Sequence, residues 1–235
     1  ILKKINRGCT IEQVHYACYL IKEANIKLQT HWMPNLPGSS PEKDKMMFDE
    51  LNYNPALSCD DIKIYPTIVT TTSKKDDKEV FTVIEKWFKE GKYIPYDNET
   101  LKDVILYGKS HIGEEVRISR VFRDIPKPNI IGGADEPNMR QELLQRLKDE
   151  GNECECIRCR EVKNKIVDPK EIKIRIKKFE ANGSIEYFIS AVSFDKEENN
   201  RRIVHGFIRL RIPLIKKKHF IKELENCALI REVHV

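Results

Sequence analysis

No run in the 235-residue sequence approaches the roughly 18 consecutive apolar residues that cross a bilayer, and its start lacks the basic, apolar, small-residue order of a signal peptide. Both absences argue for a cytoplasmic protein. A disulfide framework is missing too, because seven cysteines is an odd number and Cys9, Cys18, Cys59 and Cys227 are scattered. Also absent are the G-x-S-x-G elbow, the H-E-x-x-H helix, the phosphate loop and the Rossmann glycine fingerprint. No internal repeat or low-complexity linker interrupts the chain. What is present is a 40% hydrophobic, 34% charged composition with a net charge of +5, which describes a globular chain of one large or two ordinary domains. So small a basic excess is only weak support for a polyanionic partner, and the placement of charge matters more. The ends, "ILKKINRG" and "ALIREVHV", read as those of a segment cut from something longer.

Periodicity divides the chain. "TIEQVHYACYLIKEAN" has helical spacing, with Thr10 as N-cap and Asn25 as a stop. "IKLQTHWM" reads as a strand, "EKDKMMFDELN" as a helix, and "DIKIYPTIV" as a second strand. Helices over "VFTVIEKWFKEGK" and "ETLKDVILYGKS" lead to the strand "EVRISRVF", and "PNMRQELLQRLKDEG" is a further helix with Gly151 at its C-terminal cap. Such alternation predicts a parallel sheet with helical crossovers, in which chemistry sits at the C-terminal strand ends. After Gly151 the period becomes two: "EIKIRIKKFEANGSIEYFISAVSFD", "RRIVHGFIRLRIP" and "CALIREVHV" predict a mainly antiparallel sheet. The expected organisation is therefore an α/β part over 1–150, a cysteine-rich linker over 151–168 and a second, α+β part over 169–235.

Three groups of residues carry candidate chemistry. Cys154, Cys156 and Cys159 have Cys-x-Cys-x-x-Cys spacing, which lets three thiolates converge on one ion, and zinc takes such ligands. A fourth ligand is not evident; His205, His219 and Cys227 are the candidates, and three reduced thiols without an ion remain the alternative. Arg158 and Arg160 are placed to lower the thiol pKa values. The second group is the basic strand faces. Ile172, Ile174 and Ile176 are expected in the core, opposite Lys173, Arg175 and Lys177; likewise Val204, Ile208 and Leu210 are expected inside, opposite His205, Phe207, Arg209 and Arg211. Such faces suit a phosphate backbone, or else are ordinary solvated surface. The third group stands at strand ends: His31, Lys63 with Tyr65, and Arg117, Arg120 and Arg123. Alternation puts Arg117 and Arg123 on one face and Arg120 on the other unless the strand bends.

The runs "NRGCT", "HWMPNLPGS", "IKIYPT", "RVFRDIP", "NMRQ", "CIRCREV", "GFIRLRIP" and "LIREVHV" resemble, in this order, the catalytic subunit of Elongator, the elongator protein three family. The resemblance implies the C-terminal part of a partial radical S-adenosylmethionine α/β barrel followed by the start of a GNAT-type acetyltransferase sheet. It implies an enzyme acting on the wobble uridine of tRNA, in which a radical made from S-adenosylmethionine activates the methyl group of acetyl-CoA. His31, Lys63, Tyr65, Arg120 and Arg123 would line the radical-domain cleft, and Glu232, Val233, His234 and Val235 would border acetyl-CoA. Cys154, Cys156 and Cys159 would hold a structural zinc, and Arg158, Arg160, Lys173, Arg175, Lys177, Arg209 and Arg211 would face tRNA. A second copy of the chain or Elongator accessory subunits are the implied protein partners. The chain departs from the family pattern in two ways. It lacks the cysteines that ligate the iron–sulfur cluster, Cys9 standing where the family has His, and it lacks the glycine loop that holds the CoA pyrophosphate. This stretch alone is expected to be inactive. The competing readings are a non-enzymatic RNA-binding zinc module and an acetyltransferase acting on protein lysines such as those of histones.

Overall fold

The computed structural model describes the whole chain apart from residues 72, 76–77, 81, 124, 135–138, 197, 199 and 215–218. Helix α1 (Ile11–Glu23) opens on a reciprocal cap: Thr10 Oγ1 accepts from the Gln13 N–H, and the Gln13 side chain accepts from the Thr10 N–H. Asn25 then turns left-handed, with φ of 58°, just past the helix end. There follow β1 (Gln29–Trp32), α2 (Pro41–Tyr53), β2 (Asp61–Ile64), β3 (Val69–Thr70), β4 (Ser73–Lys75), β5 (Lys78–Val80), α3 (Val83–Lys89), α4 (Asn98–His111), β6 (Arg117–Val121), β7 (Ile130–Gly132) and α5 (Met139–Asp149). Strands β1, β2 and β6 form a parallel sheet in that order, as the alternation of elements predicts, while β3–β7 and β4–β5 are small antiparallel pairs.

Ile62, Ile64 and Ile118 of this sheet share one core with Phe48 and Leu51 of α2 and with Leu101, Val104 and Ile105 of α4. Helix α4 approaches α2 closely at Gly108, where an added Cβ would lie 2.7 Å from Phe48 Cδ1. Alanine is the better helix former by about 1 kcal/mol, yet here the methyl group would collide with a fully buried ring. Overpacking costs about 1–3 kcal/mol, so Gly108→Ala is expected to lower the urea midpoint rather than raise it.

The second half comprises α6 (Ile157–Arg160), β8 (Lys173–Ala181), β9 (Ser184–Asp195), β10 (Arg201–Pro213) and β11 (Leu229–His234), with the strands in one antiparallel sheet of order β11-β10-β9-β8. Asn182 and Gly183, with φ of 47° and 76°, make the tight β8–β9 turn that an Asn-Gly pair favours. A small core of Ile157, Phe188, Val192, Val204 and Phe207 lies on the inner face.

Two expectations about this sheet are reversed. Ile174 and Ile176 are 67% and 61% exposed, and the core lies instead on the face of Arg175 and Lys177. On β10, a bulge between Val204 and Gly206 shifts the alternation, so Val204 points inward as expected but Phe207, Arg209 and Arg211 do so as well. Ile208 and Leu210 fall on the more exposed side. The inner face is therefore strongly polar. It meets the parallel sheet at residues just before each parallel strand: Ile26 and Lys27 before β1, Asp60 before β2, and Glu114 and Glu115 before β6.

Candidate functional site

Helix α5 ends in the predicted glycine cap: Gly151 has φ of 70°, its N–H donates to the Lys148 carbonyl at 3.0 Å, and the Asn152 N–H donates to the Leu147 carbonyl at 2.8 Å. The chain then passes directly into the cysteine turn. Cys156 caps the one-turn helix α6, and the Ile157 N–H donates to the Val116 carbonyl at 3.0 Å, fixing the turn to the start of β6. This brings the sulfurs of Cys154, Cys156 and Cys159 within 4.8 Å of one another, with the first two cysteines buried and the third partly so. Among the described residues no fourth ligand joins them. His205 Nε2 pairs with Ser193 Oγ at 2.8 Å, His219 Nδ1 bonds to the Ile221 backbone, and the Cys227 thiol donates to the Glu223 carbonyl.

The thiols do not share their protons evenly. Hydrogen bonds from Cys154 and Cys156, helped by Lys109 and Arg201, pull the Cys159 pKa far down, while hydrogen bonds to its two partners hold Cys154 well above the usual thiol range. Cys159 is thus the thiol of the three whose surroundings most favour the anion. Its nearest cation is Lys109, whose Nζ lies 4.0 Å from Cys159 Sγ, and not the flanking arginines that the sequence suggested. Arg158 donates to the Ser119 carbonyl, and Arg160 donates to the carbonyls of Glu155 and Glu114.

At the parallel strands, register does what spacing could not. His31 pairs with Lys63 and Lys63 with Arg120, so the three form one row across β1, β2 and β6. The bulge in β6 at Ser119 sets Arg117 opposite Asp61 and Arg120 opposite Lys63, which puts both arginines on one face. Tyr65, just beyond β2, meets His31 edge-on with ring centroids 5.3 Å apart. All four of His31, Lys63, Tyr65 and Arg120 are at least partly accessible. Arg123 is not in the row: it follows Phe122, whose φ of 68° turns the chain away, and it is exposed.

Most of the cations expected to face RNA are engaged elsewhere. Arg160, Arg209 and Arg211 are buried, Arg175 is paired with Glu114 at 3.2 Å, and Lys177 is paired with Glu115 at 2.6 Å. Lys173 is exposed and Arg158 partly so. A cleft of about 370 Å³ lies beside Cys159; of the cations that line it, Lys148, Lys165, Arg201 and Arg202 are also paired with carboxylates, which leaves the exposed Lys163 and the partly exposed Arg158.

Sequence reasoning missed a buried ionic joint between the two sheets. Asp60, 1% exposed, accepts from the Leu28 N–H at 2.8 Å, is paired with Arg231, and has Lys22 and Arg209 each at 3.7 Å. Glu186 takes Lys22 at 3.2 Å, Arg211 at 3.1 Å and Arg231 at 3.3 Å, and Arg211 reaches Glu23 at 2.5 Å. Burial alone would raise the Asp60 carboxyl, but Lys22, Arg209 and Arg231 outweigh it and hold the group well below the usual carboxylate range. Strand β11 is drawn in by this joint and, as the last strand of the sheet order, keeps its outer edge unpaired among the described residues.

The Radical_SAM C-terminal domain family matches residues 59–149. Over its whole length the chain is 37% identical to a tRNA uridine(34) acetyltransferase of Methanocaldococcus infernus, 36% identical to one of Dehalococcoides mccartyi, and 33% identical to Elongator complex protein 3 of Saccharomyces cerevisiae. It spans 42%, 49% and 41% of those relatives, less than half of each. The solved structure of M. infernus Elp3 with an N-terminal deletion superposes with a TM-score of 0.85 at 36% identity, covering 100% of this chain and 53% of that one.

Proposed function

Since the chain belongs along its whole length to the family of Elongator complex protein 3 and the tRNA uridine(34) acetyltransferases, we propose that its full-length gene product modifies the wobble uridine of tRNA using acetyl-CoA. The observation that carries this reading is the row His31–Lys63–Arg120 with Tyr65, standing at the ends of parallel strands within and beside the Radical_SAM C-terminal match. Two cationic side chains and an imidazole in register can hold an anionic sugar–phosphate while the tyrosine ring offers a stacking surface. The cleft beside Cys159 adds Lys163 and Arg158 as cations for the RNA backbone.

Glu232, Val233, His234 and Val235, in and just beyond β11, are assigned to the border of acetyl-CoA. Free backbone N–H and C=O groups on an edge strand can bond an extended amide-bearing ligand by strand addition, and the pantetheine arm of acetyl-CoA is such a ligand. We assign residues 1–150 to the radical S-adenosylmethionine part, 151–168 to a zinc linker and 169–235 to the GNAT-type part.

The cysteine turn fits zinc. Bonds of about 2.3 Å to a tetrahedral ion put sulfurs about 3.8 Å apart, so the trio need close by only about an ångström from its present spread of at most 4.8 Å. Cys154, Cys156 and Cys159 would hold the ion, which would supply structural cross-linking rather than reactivity. An iron–sulfur cluster and S-adenosylmethionine are implied by the radical domain. Cys9, Cys18, Cys59 and Cys227 form no second cysteine cluster among the described residues, so this chain's share in radical chemistry is to line the cleft. None of its described helices is long and apolar enough to cross a membrane.

The test is acetyl-CoA turnover by the full-length gene product with and without tRNA. Turnover should be stimulated by tRNA and should fall at least about 100-fold in Lys63→Met, the scale of loss when a group that positions a reacting partner is removed. Tight tRNA binding that never alters acetyl-CoA turnover would sink the enzymatic reading, and preferential acetyl transfer to a histone peptide in direct competition would move it to protein lysines.

A further inference from the structure

Strand β11 pairs with β10 through a second bulge: Glu232 faces Arg209 and Ile230 faces Leu210, leaving Arg231 as the extra residue. The consequence is that two consecutive side chains, Arg231 and Glu232, both turn toward the parallel sheet. Each is met there by a residue of the first half. Arg231 is held by Asp60, and its Nη1 also donates to the Ile26 carbonyl at 3.3 Å. Glu232 receives Lys27 Nζ at 2.8 Å and Arg209 Nε at 2.8 Å.

Arg209 ties the two contacts together. Its guanidinium lies over the rings of Phe188 and Phe207 at 5.2 and 5.3 Å, and it donates to the carbonyls of Glu115 at 2.6 Å and Asp60 at 3.3 Å. Beyond the bulge β11 runs against Gly206, where an added Cβ would lie 2.8 Å from the His234 carbonyl oxygen, so the strand has little room to shift sideways. A bulge that is cross-braced at both of its residues cannot slide in register without breaking buried ion pairs.

We propose that Asp60 and Lys27 are positioning residues: from the feet of β1 and β2 they clamp the Arg231–Glu232 bulge and so set where β11 stands for acetyl-CoA. This inference rests on the reading of that strand as the acetyl-CoA border. It makes the geometry of the acetyl-binding strand a property of the parallel sheet, although the two residues stand apart from the row of His31, Lys63 and Arg120.

The test uses Asp60→Asn, Lys27→Met and Lys27→Arg in the full-length gene product, with two readouts. Amide hydrogen exchange of residues 233–235 reports the clamp whether or not the protein is active, and steady-state kinetics report acetyl-CoA use. Both Asp60→Asn and Lys27→Met should speed exchange on β11 but not on β8 or β9. They should raise the acetyl-CoA KM about fivefold, the low end for coupling between sites, while kcat at saturation changes by less than about twofold. Lys27→Arg should restore both readouts. Because Lys27 is partly exposed, its variants remain informative if Asp60→Asn fails to fold. Unchanged exchange, or faster exchange with an unchanged KM, overturns the proposal. A gene product without any acetyl-CoA turnover would instead defeat the functional reading, and the exchange of β11 would then decide the clamp by itself.

Discussion

Arg211→Met in the full-length gene product will lower the unfolding free energy by about 3–5 kcal/mol, the cost of stranding buried charge. Arg211 is fully buried, and its guanidinium serves five contacts: Glu23 Oε1 at 3.2 and 2.5 Å, Glu186 Oε1 at 3.1 Å, and the carbonyls of Ala181 and Asn182 at 2.9 Å each. Methionine fills much of the volume but leaves two carboxylates and two carbonyls without this donor in a place water does not reach. The effect should therefore be mostly electrostatic. Adding Glu23→Gln to Arg211→Met should recover part of the loss, since a neutral amide costs less to bury unpaired than a carboxylate, whereas Glu186 must stay charged to hold Lys22 and Arg231. Urea denaturation followed by circular dichroism measures both. A loss under about 1 kcal/mol for Arg211→Met would mean that the joint is far wetter than the structure shows.

Cys156→Ser will abolish zinc binding at the proposed site. Elemental analysis of the purified full-length protein should find about one zinc held per chain by the cysteine turn, falling below about a tenth in the variant, because a site with three protein sulfurs cannot spare one. Cys154 and Cys156 belong to the same buried cluster as Leu143 and Leu147 of α5, so the loss reaches the core. The melting temperature should drop by about 2 °C, equivalent to about 2–3 kcal/mol in a protein of the relatives' length, more than twice that of this chain. A strong chelator applied to the unmutated protein should reproduce that drop. If the unmutated protein contains almost no zinc, the trio is simply three reduced thiols.

Much of the architecture could be read from the sequence because its signals are local. Thr10 and Gln13 are three residues apart, Gly151 sits directly after the periodic run of α5, and Asn182-Gly183 specifies its own turn. The switch from helical period to alternation after Gly151 separated the parallel sheet from the antiparallel one for the same reason. The failures have a common cause in bulges and distant charges. One extra residue near His205 inverted the expected face of Phe207, Arg209 and Arg211, and one at Ser119 brought Arg117 and Arg120 onto the same side. "GFIRLRI" alternates cleanly, so its pattern alone gives no sign of which face is buried. The acids that decide the matter, Glu23 and Asp60, lie 188 and 149 residues away from their arginines. Helix α1 shows the same blindness: Ile11 and Tyr16, apolar and helically spaced, are exposed, while Lys22 and Glu23 are buried.

The meeting of the two sheets at residues before β1, β2 and β6 divides the parallel strands into two territories under different selection. Asp60, Glu114 and Glu115 at one end can hardly change without a compensating change in a partner on β8, β10 or β11. Beyond the other end, Tyr65, Arg123 and the loop from Pro34 to Ser39 carry no part of the joint. Substrate preference can therefore drift at the mouth of the strands while the docking of the second sheet stays frozen, and sequence diversity among homologues should be distributed along each strand accordingly.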